Sequence, residues 1–223
     1  SEPVAGPNTS EINSQVEPSL QISPTKIANG VYYAKDFGIT TIKSNIDFNN
    51  NGIDAYTDIL LGAKKEAEMR PIYDDRYWEG GYPPDGYGVC TDVIWRAFRH
   101  AGYDLKQMVD DDIAKFSYEY YLTDNIADPN IDFRRVQNLR VFFNKYAVSL
   151  TIDPYDIDQW QPGDIVIYGD RHIAIVSDVR NSSGISWIIH NSDNHEEYEE
   201  DFLIMDDLSE HYRWTRGDGS SES

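Results

Sequence analysis

Gly86-Tyr87-Gly88-Val89-Cys90-Thr91-Asp92-Val93-Ile94-Trp95-Arg96-Ala97-Phe98 is a glycine-punctuated loop running into an apolar helical pattern, with a cysteine at the junction. Val93, Ile94, Ala97, Phe98 and Ala101 form one helical stripe, and Gly102 supplies a stop. Cys90 is the only cysteine of the chain. Its position suits a nucleophile. Helix N-terminal N–H groups carry roughly half a positive charge. Such a site lowers a thiol from its ordinary pKa of about 8.5 and offers donors to an oxyanion. The plain alternative is a small buried hydrophobe, which a free cysteine often is.

Working outward, residues 53–69 carry apolar side chains at helical spacing, and so do residues 105–116 and 133–146. After Pro154 the pattern turns to strands: 165–168, then 172–179, a turn at Asn181-Ser182-Ser183-Gly184, and a hairpin partner over 185–190. Residues 211–214 close the sheet, and shorter β-prone pieces stand at 31–33 and 39–42. Helices first and strands second predict an α+β domain, its helical N-terminal half packed on a largely antiparallel sheet. The helical half delivers the cysteine and the strand half the histidines. His172 opens a strand, and an imidazole can take a thiol proton and return it to a leaving amine. His190 ends the hairpin partner, where it can reach the far nitrogen of His172 and fix its tautomer. Asn191 and Asp193 are alternatives for that third role.

The 223 residues suffice for one domain with a full core. Nineteen basic against 39 acidic residues give a net charge of −20, which argues against nucleic acid. No apolar run is long enough for a membrane span. Residues 1–26, rich in Ser, Pro, Glu and Asn, read as a flexible tether left after removal of an export signal, with the domain over 27–216 and a disordered tail at 217–223.

The loop from Tyr77 through Gly80-Gly81 to Cys90 resembles the stretch before the nucleophile in NlpC-like cell-wall peptidases, where Tyr-x-x-Gly-Gly leads to the catalytic cysteine. Pro162-Gly163-Asp164-Ile165-Val166 followed by His172-Ile173-Ala174-Ile175 resembles their later strands. The chain from about 53 to 214 is also similar to a less characterised exported bacterial family. That family carries the motifs seen here at Val89 to Asp92, Arg134 to Leu139, Pro162 to Val166, His172 to Asp178 and His211 to Arg213.

The resemblance implies a papain-like fold, with Cys90 as nucleophile, His172 as base and His190 as orienter. It further implies that the Tyr77 hydroxyl assists at the oxyanion, with Tyr82 or Tyr87 as substitutes. The implied substrate is a peptide amide of the bacterial cell wall, cleaved by a monomer in the periplasm or cell envelope. The same scaffold could serve an acyltransferase, another amide or ester hydrolase, or a non-catalytic wall- or partner-binding module. Two departures stand out. The family's Asp-Cys-Ser-Gly is Val89-Cys90-Thr91-Asp92 here, and Phe133 replaces a histidine before Arg134-Arg135. Asp92 either receives a substrate amine or caps its helix.

Arg134, Arg135 and Arg140 either grip a substrate carboxylate or pair with surface acids. No metal or other cofactor is expected. His190, Asp193 and His195 lack zinc-site spacing. Asp47-Phe48-Asn49-Asn50-Asn51-Gly52 resembles the start of a calcium loop but lacks its closing glutamate, so a solvated turn is expected.

Overall fold

The computed structural model describes residues 30–193 and 197–217. The expected tether lies outside these residues, as do His195 and all of the expected tail except Gly217.

A short strand, β1 (Tyr32–Tyr33), leads into the first helix, α1 (Ala55–Met69), whose N-cap Asp54 accepts a hydrogen bond from the Thr57 N–H. Two dipeptide strands follow, β2 (Ile72–Tyr73) and β3 (Tyr87–Gly88), which pair in parallel and cinch the base of the loop before Cys90. Then come α2 (Cys90–His100), α3 (Leu105–Phe116) and α4 (Val136–Tyr146). The sheet strands are β4 (Val148–Ser149), β5 (Ile165–Tyr168), β6 (His172–Arg180), β7 (Ser186–Ile189), β8 (Glu199–Glu200) and β9 (Leu208–Arg213). They run in the order β4-β9-β5-β6-β7-β8, every pair antiparallel, with β1 added against the far end of β6. This is a mixed α+β architecture.

Alternation along β5 and β6 decides the layers. Ile165, Ile167, Ile173 and Ile175 share a core with the helices, including Val93, Ile94, Ala97 and Phe98 of α2. Val166, Tyr168, Ala174 and Val176 pack on the opposite face with Trp160, Ile188 and Leu203. The central strands are therefore buried on both faces, which explains their near-continuous apolar sequence. Helix α2 crosses α1 closely because residue 62 is glycine: a Cβ there would stand 2.8 Å from the Ala97 Cα.

The piece at 39–42 is not a strand. The Gln161 side chain takes the place of a strand neighbour, accepting from the Ile42 N–H at 3.0 Å and donating to the Thr40 carbonyl at 3.4 Å. The Pro162-Gly163-Asp164 turn enters β5 under tight constraint. Gly163 has φ +89, and a Cβ would come within 2.5 Å of the Tyr56 carbonyl oxygen. Asp164 then accepts from the Gln161 N–H, from His211 Nε2 at 2.9 Å and from both arms of Arg213.

The acidic turn before α1 satisfies itself. Asp47 accepts from the N–H groups of Asn51 and Gly52, and the Asn49 and Asn51 amides fill the Asp58 carboxylate. Among the described residues, no three His, Cys, Asp or Glu side chains group to hold a metal, and no helix is long and apolar enough to cross a membrane.

Candidate functional site

Cys90 is the first residue of α2, and its N-cap is Val89. Valine offers no side-chain acceptor, so the first N–H groups of the helix are not consumed by a conventional cap. The sulfur lies near them. The backbone N–H groups of Cys90, Thr91 and, across from β6, Ile173 each favour its charged form. That last neighbour brings β6 to the sulfur at the residue after His172, and successive Cα atoms lie about 3.8 Å apart.

The opposing influence is burial. Cys90 is 6% exposed. Desolvation, seconded by the Asp92 charge, pushes its thiol up to about 11 against the three N–H donors. The resting sulfur is therefore a thiol, the reverse of the lowered pKa expected from its helix position alone.

His172 opens β6. Its Nε2 lies 2.6 Å from Nδ1 of His190, with the two rings edge to face. His190 is buried, and its Nε2 lies 2.8 Å from Glu200 Oε1 on β8. A relay thus runs from β6 through the end of β7 to the sheet edge. Of the alternatives for the third role, Asn191 turns away: its amide donates to the Gly88 carbonyl at 2.9 Å and ties the hairpin to the loop before Cys90. Asp193 lies close enough to act on the Tyr73 hydroxyl.

A cavity of about 230 Å³ opens onto Cys90, lined by Tyr73, Asp75, Thr91, Gln137 and the Arg134-Arg135 and Asp170-Arg171 pairs among others. Tyr73 is the tyrosine of this site. Burial, then the charges of Cys90, Asp193 and Asp75, push its hydroxyl up to about 12. Tyr77 lies elsewhere. Its hydroxyl accepts from the Asn130 amide at 2.7 Å and bonds Asp128, because the Gly80-Gly81 turn curls onto residues 128–133. Tyr82 packs against Trp95 and Phe133. Tyr87 sits in β3, its carbonyl held by Arg96 at 2.9 Å. Neither lines the Cys90 cavity.

Asp92 is fully buried and saturated. It accepts from the Val89 N–H at 2.7 Å, from Trp95 Nε1 at 2.7 Å and from Arg134 through two bonds of 2.9 Å. It caps α2 and anchors the 132–134 turn, and no lone pair remains for a substrate amine. Arg134 is spent on Asp92 for the same reason, and Arg140 pairs with Asp170. Arg135, beside Asp132, faces the cavity. Two larger cavities, of about 470 and about 490 Å³, lie along the flanks of α1, and neither is lined by Cys90, His172 or His190.

Sequence reasoning missed Tyr73 and Glu200. Tyr73 lacks the Tyr-x-x-Gly-Gly spacing, and Glu200 is one of 39 acids; only the pairing of β7 with β8 marks it out.

A model of a family described as a domain of unknown function, DUF1287, matches residues 60–214. An Escherichia coli (strain K12) protein described as uncharacterized protein YijF is 34% identical over 174 residues, covering 73% of this chain and 84% of that one. No solved structure matches.

Proposed function

We propose that this chain, which belongs to the DUF1287 family, is a cysteine hydrolase of peptide amides that acts on cell-wall peptides outside the cytoplasm. The observation that carries the reading is that the Ile173 N–H, next to His172, lies near enough to the sulfur of Cys90 to favour its charged form, while Nε2 of His172 is engaged by His190. A papain-like arrangement, with the cysteine helix laid on an antiparallel sheet that presents the histidine, accommodates both. The cell-wall substrate and the exported location rest on the resemblance of the motifs.

The chemistry follows from the buried thiol. Sγ loses its proton to Nδ1 of His172 as it attacks the carbonyl, so proton transfer accompanies attack rather than preceding it. The oxyanion is met by the Cys90 N–H and the Tyr73 hydroxyl. Collapse forms a thioester on Sγ, and the amine leaves with the proton held by His172. Water, deprotonated by the same imidazole, attacks the thioester, releases the acid and restores the thiol.

The raised thiol also favours a second reading, a non-catalytic wall- or partner-binding module whose cysteine is inert. Mass spectrometry of defined muropeptides separates the two. Hydrolysis yields fragments whose masses sum to substrate plus one water, and only with Cys90 present. Amine-capped products in the presence of an added amine assign acyl transfer. Intact muropeptides under every condition remove the enzyme reading.

A further inference from the structure

A glutamate on an edge strand has a plain reading, since charged edges keep sheets from pairing with one another. Glu199 fits it, bonding Lys64 at 2.9 Å together with Ser177. Glu200 differs. Its Oε1 lies 2.8 Å from Nε2 of a histidine that is 1% exposed.

An ionised carboxylate can only accept, so the hydrogen of that contact belongs to His190 Nε2. A neutral imidazole protonated at Nε2 has a bare Nδ1. With His190 neutral, as at pH 8, that bare nitrogen lies 2.6 Å from His172 Nε2, so His172 Nε2 is the donor. A neutral His172 with its hydrogen on Nε2 keeps its lone pair on Nδ1. The opposite assignment would set the bare Nε2 of His190 against a carboxylate, two acceptors facing each other with no hydrogen between them.

We infer that Glu200 is a positioning residue that writes the tautomer of His172 through His190 and leaves Nδ1 as the basic atom. Its catalytic consequence rests on the thiol mechanism proposed above; the tautomer does not. When Nδ1 takes the thiol proton, the imidazolium formed is hydrogen-bonded into a chain that ends in a carboxylate, the service a third residue performs for a catalytic histidine. Here the service spans two rings.

Long-range proton–nitrogen NMR of ¹⁵N-histidine-labelled protein at pH 8 tests this, with His172→Ala and His190→Ala assigning the signals. The expected result is a bare Nδ1 and a protonated Nε2 on both rings. Glu200→Ala should bring hydrogen onto Nδ1 of His172 and lower kcat by about tenfold with KM within about twofold. Glu200→Gln, which keeps an acceptor oxygen, should restore the bare Nδ1. Hydrogen on Nδ1 of His172 in the parent protein, or rings unchanged by Glu200→Ala, would overturn the inference. The spectra need no substrate. A protein with these tautomers that cleaves no peptide upholds this inference and removes the hydrolase reading.

Discussion

Among the described residues, two buried histidines face carboxylates, and only one belongs to the candidate site. His211 stacks flat on Trp160, ring centroids 3.8 Å apart, with Nδ1 on the Thr151 carbonyl and Nε2 on Asp164. Both of its nitrogens are committed to the fold, and Arg213 neutralises its carboxylate. His190 is as deeply buried and also has both nitrogens engaged, but one of its partners is His172. His172 is only half-buried, and it stands between Arg171, which lines the cavity over Cys90, and Ile173, whose N–H favours the charged form of the sulfur. A histidine–carboxylate contact by itself therefore marks nothing. What separates the regions is whether the chain of bonds ends at a closed turn or at a half-buried histidine next in sequence to residues that flank Cys90 and its cleft.

The sharpest contrast is in turnover. Cys90→Ala or His172→Ala should reduce peptide cleavage by about 10³-fold or more, while the folded fraction, read by circular dichroism, is retained. Asp164→Ala should do the reverse. It leaves His211 and Arg213 buried without their partner and costs about 3–5 kcal/mol in urea melts, with kcat per folded molecule preserved. Loss of kcat without loss of stability in Asp164→Ala would collapse the distinction.

Stability against pH sharpens it further. Cys90 is raised from 9.0 to about 11, so the folded state holds a proton that the unfolded chain has released. Stability from this group is fully present below pH 9 and is lost as pH rises to about 11. At about 1.4 kcal/mol per pKa unit the loss approaches about 3 kcal/mol. Cys90→Ala should flatten that part of the curve relative to the parent protein, measured by denaturant titration between these limits. An unchanged slope would mean the thiol is not held protonated.

The smallest effects concern the two tyrosines. Tyr73→Phe should lower kcat by about 10- to 100-fold. Tyr77→Phe, which loses only hydroxyl contacts to Asp128 and Asn130, should change it by less than about twofold. The reverse order would return the oxyanion role to Tyr77.

The sequence revealed what periodicity governs. The stripe of α2, the helix from Ala55 to Met69 and the hairpin of β6 and β7 follow directly from apolar spacing. The proximity of His172 and His190 followed from that hairpin. Residues 39–42 deceived because a side chain, Gln161, satisfied a backbone that composition alone assigned to a strand. Tyr73 was hidden for a related reason. Spacing along the chain pointed to Tyr77, whereas the parallel pairing of Ile72–Tyr73 with Tyr87–Gly88 brings the earlier tyrosine back beside Cys90. Glu200 sits on a two-residue strand with no apolar signal, so its role depends on a register that local sequence does not encode. Asp92 shows the converse. Its place in the first helical turn suggested capping, and the structure adds an arginine 42 residues away that completes the burial of its charge.

The most direct measurement is intact-protein mass spectrometry during turnover of a defined cell-wall peptide, with rapid acid quench and peptide mapping. A hydroxylamine-labile acyl adduct on Cys90, absent from Cys90→Ala and suppressed in His172→Ala, is the predicted result. Peptide cleavage at the parent rate by Cys90→Ala, with no adduct at that position in the parent protein, would contradict the account.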